Sequence, residues 1–492
     1  MEKKTVWIIV IVGLIIVGMC CCAVLLTSLG AYSIIKSQPT SEIWGEPDVQ
    51  DWTEPTRPGE RTTEEPLPLP TIDLPSTPSD NSESTPSSQD ESNIPAEMLN
   101  QMKRIEKDVS KLRGLPPATD MIRKLFTPEQ LEQRVMDDFF ADYTEKDVKQ
   151  DAIVFNLFGL LDRDFDLYDL FVNLYSEQIA GFYDNDTKEM VVIQGKKFAG
   201  PERMTYAHEY THAMQDAKYD LKNGLNWDED ACKLDSEYCA AISALVEGDA
   251  SLTEMQWFLD YSTLKDKQEI LQFYNEMESP VYDSTPEFLK EDFLFPYNQG
   301  LDFVTSLHDQ GGFAAVDQAY LNPPVSTEQI MHPERYPQDK PVKIELDDFT
   351  HVLGNGWEEI ERNALGEWYT YLLLAKPLST SWALPEREAS AAAEGWGGDL
   401  YLVYHNSDQD QDALISLSQW DTQTDADEYW KAFINYGKKR WGAATTSSGE
   451  RVEWKLQNQS IVIIHKVDQV LWVITPDQAL MTAVLAGFPA FK

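Results

Sequence analysis

His208-Glu209-Tyr210-Thr211-His212 is the stretch that decides how this chain is read. On a helix, positions i and i+4 share one face, so the two imidazoles can bind one metal ion from the same side. Glu209 is turned by about 100° from His208 by the 3.6-residue period. It stands beside the open side of such an ion, where a carboxylate serves as general base toward water in zinc-assisted hydrolysis. The flanks favour a helix. Gly200-Pro201-Glu202 puts a proline in the first turn and an acid near the positive helix end. Arg203 to Tyr219 contains neither Pro nor Gly.

Two imidazoles leave a zinc site incomplete, because catalytic zinc takes three protein ligands and keeps one position open. Glu247, in Ala244-Leu245-Val246-Glu247-Gly248-Asp249-Ala250-Ser251, is the expected third ligand, with Asp249 as its rival. The acid sits in an otherwise apolar stretch of helix. Ala240, Ala244 and Ser251 fall at helical spacings from it, and small residues there let two backbones come close. A buried carboxylate is costly unless a cation pairs with it, and zinc is such a cation.

His208-Glu-Tyr-Thr-His212-Ala-Met-Gln-Asp216, followed by a glutamate on a later helix, resembles the gluzincin zinc metallopeptidases of the thermolysin type. The resemblance covers the span from the hairpin before the motif to the end of the Glu247 helix. It implies His208, His212 and Glu247 as zinc ligands and Glu209 as base. It also implies that Asp216 supports a ligand histidine by a hydrogen bond, and that an edge strand, here Glu189–Gln194, pairs with extended substrate. The sequence Glu247-Gly-Asp-Ala departs from the thermolysin pattern, as in a distant membrane-linked branch.

A second cluster lies at 323–336. Amide hydrolysis builds charge on the carbonyl oxygen, and His332, Arg335 and Tyr336 are donors that could stabilise it, His332 first and Tyr336 with it. Pro296-Tyr297-Asn298-Gln299-Gly300 could line the cleft, but it reads first as core or capping. His308, His351, His405 and His465 lack paired spacing and read as structural or surface residues.

The net charge of −43 excludes a nucleic-acid partner, which needs a basic surface. Residues 6–29 are uncharged and long enough to cross about 30 Å of hydrocarbon. Lys3 and Lys4 precede them, which places the N-terminus in the cytoplasm and the rest outside, on a single-pass membrane anchor. Cys20, Cys21 and Cys22 lie in that span. Cys232 and Cys239 lie in the outer part. On one continuous helix they would be about 10 Å apart along the axis, so a disulfide requires Cys232 to lie before the helix.

Four regions follow. Residues 1–36 form the cytoplasmic tip and transmembrane anchor. Residues 37–95, with 11 Pro and many Ser, Thr and acids, form a disordered stalk. Residues 96–345 form a mostly helical zincin-like domain with a small β-hairpin, and 346–492 a C-terminal α+β domain. The expected fold class is α+β throughout. The expected function is a membrane-anchored, extracytoplasmic zinc-dependent peptidase acting on a peptide or protein substrate. Two other readings stay open: a zinc hydrolase of a non-peptide amide, and a non-catalytic peptide- or envelope-binding protein.

Overall fold

The computed structural model describes residues 93–137, 144–178, 181–193 and 198–491. The apolar span 6–29 and almost all of the proposed stalk lie outside them. Among the described residues no helix is long and apolar enough to cross a membrane.

The chain is α+β, as expected. Helix α1 (Ala96–Arg113) ends at Gly114 in the left-handed conformation. Helix α2 (Gly200–Tyr219) carries the histidine pair and starts with Pro in its first turn. Helix α3 (Ser236–Asp260) carries Glu247 and is capped by the Asp235 carboxylate, which accepts from the Tyr238 N–H. Helix α4 (Glu287–Gly311) runs through Pro296. An internal proline usually ends a helix. Tertiary packing carries α4 across it.

The small-residue face read from the sequence is where α3 and α4 meet. A Cβ added at Gly248 would stand 2.1 Å from the Gly300 carbonyl oxygen, and one added at Gly300 would stand 2.3 Å from that of Ala244. Only glycine permits this approach.

Beside α2 lies a three-stranded sheet of β1 (Ile122–Phe126), β2 (Gly181–Asp184) and β3 (Glu189–Ile193), in the order β1-β3-β2. The turn between β2 and β3 is held by Asp184 Oδ1, which accepts from the N–H groups of Asp186 and Thr187 at 2.8 and 3.0 Å. The hairpin is as expected, but β3 is not an edge. It pairs parallel with β1 and antiparallel with β2. The described part of Glu189–Gln194 therefore has both sides occupied and cannot add a peptide strand. Gln194 lies outside the described residues. The strand edge next to α2 belongs to β2.

The C-terminal part builds a seven-stranded sheet with every neighbouring pair antiparallel, in the order β4-β5-β6-β10-β9-β8-β7. The strands are β4 (Trp357–Asn363), β5 (Trp396–Asn406), β6 (Gln411–Trp420), β7 (Thr446–Ser448), β8 (Arg451–Leu456), β9 (Gln459–Lys466) and β10 (Gln469–Thr475). Alternation divides β10 cleanly. Val470, Trp472 and Ile474 join the main core, while Leu471 and Val473 pack on the other face with Met481 and Val484. Both faces are buried, which is why the strand reads as one apolar run.

The main core passes without a break from this sheet into the helical half. Phe158 meets Tyr401 edge to face at 5.0 Å and lies 6.1 Å from Trp472. Arg440 donates to the carbonyls of Asn156 and Leu157 at 2.8 and 3.0 Å, satisfying the end of the 145–158 helix. Cys232 and Cys239 form a disulfide with Cα atoms 5.3 Å apart. Cys232 lies on a short separate helix, Glu229–Leu234, and the break at Asp235 lets the chain turn back.

Candidate metal centre

Helices α2 and α3 face one another with His208, His212 and Glu247 between them. Their ligand atoms all lie within 4.8 Å of one another, and all three residues are buried, Glu247 completely. Glu247 Oε2 is 3.1 Å from His208 Nε2 and 3.4 Å from His212 Nε2. A tetrahedral ion with bonds of about 2.0–2.1 Å has ligands about 3.3 Å apart, so these separations suit one. Glu247 Oε1 and Glu254 Oε1 are buried with no hydrogen-bond partner. Three buried carboxylates, Glu209, Glu247 and Glu254, surround two imidazoles. That is an excess of negative charge which a divalent cation would offset. The residues fit a metal ion.

Asp249, the rival ligand, is elsewhere. Its Oδ1 pairs with Arg113 Nε on α1 at 2.6 Å, and its Oδ2 accepts from the Tyr320 hydroxyl at 2.9 Å.

The supporting bonds differ from expectation. Asp216 bonds to neither histidine. Its Oδ2 accepts from the Tyr183 hydroxyl at 2.8 Å and from Lys188 Nζ at 2.5 Å, so it ties α2 to the hairpin. The histidines are held by Glu254, 3.2 Å from His208 Nδ1, and by Gln215 Oε1, 2.8 Å from His212 Nδ1. Both were legible. Glu254 stands two turns beyond Glu247 on one helix face, and Gln215 stands one turn beyond His212. The buried ring of Tyr297 lies 6.3 Å from that of His208. The stretch read first as core or capping, with cleft lining as the alternative, thus reaches the centre.

The electrostatics follow from burial and pairing. Burial alone would lower the pKa of His208, but its bonds to Glu247 and Glu254 outweigh this and raise it well above the usual value. His212 is likewise raised, with Glu247 overcoming burial. Glu247 would be raised by burial, yet the two imidazoles bring it down to about 2. Burial raises Glu209, whose Oε2 accepts from the Tyr183 N–H at 3.0 Å.

His332 and Tyr336 are not brought to this centre. His332 follows helix α5 (Thr327–Met331), whose first residue donates twice to Glu237 at the start of α3. Glu237 precedes Glu247 by about 15 Å along the helix axis. His332 Nε2 bonds to Glu367 at 2.8 Å, and the Tyr336 hydroxyl donates to the Asn322 carbonyl at 2.6 Å. Arg335 is bound by Glu328 and Asp421, and with Asp339 these acids make a second cluster whose centre its guanidinium already fills. Histidine 332 was attractive in sequence because its partner, Glu367, is 35 residues away. His332→Ala should accordingly lower the melting temperature and leave metal content unchanged, measured by thermal denaturation and elemental analysis side by side.

Glu237 sets a pH dependence. No basic side chain pairs with it among the described residues, and burial pushes it up to about 8. An unfolded Glu titrates near about 4.3. The folded state therefore holds the proton more tightly, and this stability is full below the unfolded value and lost as pH rises through the folded one. Glu237→Gln removes the titration. Its stability relative to wild type, from urea midpoints, should rise between about pH 5 and about pH 9. A constant difference would refute this.

Comparison with known proteins adds one match. A family described as a domain of unknown function (DUF8575) matches residues 352–485, which include all seven strands of the C-terminal sheet, and does not reach the metal centre. No curated protein and no solved structure matches the chain.

Proposed function

We propose that this chain is a membrane-anchored zinc-dependent peptidase. The observation that carries the reading is the convergence of His208, His212 and Glu247 with Glu209 held beside them. Zinc held by those three residues would supply Lewis acidity at the scissile carbonyl. Glu209 is the general base. The Tyr183 N–H fixes its Oε2, which leaves Oε1 to take a proton from the attacking water and return it to the leaving amine. Burial strengthens it as a base by raising its pKa.

The uncharged residues 6–29 behind Lys3 and Lys4 support a single-pass anchor in the cell membrane with the catalytic part outside the cytoplasm. The strong negative charge argues against a nucleic-acid partner.

The test is a quenched-peptide library incubated with the full chain, with and without chelator. Chelator-sensitive cleavage is expected. Hydrolysis of simple amides without peptide cleavage would indicate a different zinc hydrolase. Peptide binding with no hydrolysis of any amide would indicate a binding protein.

A further inference from the structure

We propose that Asp249 sets the tautomer of His212, acting through Gln215; the inference rests on the metal-centre reading above. The Gln215 amide has one donating end and one accepting end. Its Nε2 lies 3.0 Å from the Val246 carbonyl and 3.0 Å from Asp249 Oδ2. Both are acceptors, so the donating end must face them. Oε1 is then turned to His212 Nδ1 at 2.8 Å and can only accept. The proton therefore sits on Nδ1. The lone pair stays on Nε2, the atom that faces Glu247 at 3.4 Å.

A flipped amide would do the reverse. Its NH2 group would face Nδ1 and drive the proton to Nε2, the atom a metal needs. Asp249 and the Val246 carbonyl together oppose the flip, and Asp249 is itself fixed from two other elements. Arg113 on α1 balances its charge at 2.6 Å, and the Tyr320 hydroxyl donates at 2.9 Å. Asp249, Gln215 and Arg113 are all buried. Asp249 is thus a positioning residue. It touches no ligand atom, yet it decides which nitrogen of His212 is free. His208 differs, because its Nδ1 meets the Glu254 carboxylate directly at 3.2 Å.

The test uses the full chain carrying 15N-labelled histidine. In Asp249→Asn, Arg113 retains the side-chain oxygen, so the new NH2 group faces that of Gln215. After chelation, at a pH where the imidazoles are neutral, wild-type His212 should be the Nδ1–H tautomer. Asp249→Asn should mix in the Nε2–H tautomer at His212 and not at His208. Zinc affinity, from chelator competition, should fall by about 10–100-fold. The cobalt-loaded absorption spectrum should keep its shape, because the ligands are the same. Gln215→Leu leaves the Arg113–Asp249 pair intact and should lose the same affinity, which decides the matter if Asp249→Asn does not fold. Wild-type affinity in Gln215→Leu, or an unaltered tautomer in folded Asp249→Asn, overturns the proposal. A wild-type chain that binds no zinc would overturn the metal-centre reading while the tautomer measurement still stands.

Discussion

Glu209→Gln is expected to keep the metal and the fold and to lose peptide hydrolysis by roughly 10²–10⁴-fold. The amide preserves the shape of the side chain. Its oxygen can still accept from the Tyr183 N–H, which holds Glu209 Oε2 at 3.0 Å. What it cannot do is take a proton from water and return it to an amine. The loss should therefore appear in kcat, with metal content by elemental analysis and the melting temperature near wild type. Near-wild-type turnover in a metal-replete Glu209→Gln protein would refute the role of general base. Loss of metal as well would show that the residue is instead part of the ligand set.

The second large effect concerns the ligands. The full chain purified without chelators should hold one zinc ion per molecule. His208→Ala and His212→Ala should not hold it through dialysis, and Glu247→Ala should bind at least about tenfold more weakly. The reason is geometric as much as electrostatic. One Glu247 oxygen lies within 3.4 Å of both imidazole Nε2 atoms, so each truncation removes a corner of the same small figure. The apo protein has a cost to set against this. Without a cation, Glu247 and Glu254 each keep a buried oxygen with no partner. Metal binding should then raise the wild-type melting temperature markedly and that of His212→Ala little. Equal zinc content in wild type and both histidine variants would remove the centre from the argument.

How much of this was legible in the sequence depends on distance along the chain. The grouping of His208, His212 and Glu247 was legible because its determinants are local: a four-residue spacing on one helix, and one acid in an apolar stretch of the next. The hairpin was legible for the same reason. The second cluster misled because His332 and Tyr336 were judged by residue type, while their partners, Glu367 and the Asn322 carbonyl, are set by folding. Strand β1 was missed because Ile122-Arg-Lys-Leu-Phe126 has too little alternation to stand out, and its partner β3 is 67 residues further on. Strand β4, Trp357-Glu-Glu-Ile-Glu-Arg-Asn363, is rich in charge because it forms the edge of its sheet, and charge hides the period. The helical stretch 145–178 is two helices, Glu145–Phe158 and Leu167–Gln178. It breaks at Gly159, whose φ of 82° suits glycine and ends the first helix.

The shared core bears on where chain continuity matters. The link between the helical half and the seven-stranded sheet runs through residues 339–349, which form no helix or strand and are largely open to solvent. What joins the halves is instead Phe158 against Tyr401 and Trp472, with Arg440 closing the end of the 145–158 helix. Chain continuity through the exposed part of that link, between Val342, whose N–H donates to the Gly397 carbonyl, and the buried Phe349, is therefore expected to matter little once the protein has folded. A protease nick there would leave two fragments that travel together, melt together and keep the metal cluster. The same position would accept new chain termini in a circular permutant, whereas a cut that separates Phe158 from the sheet would not be tolerated.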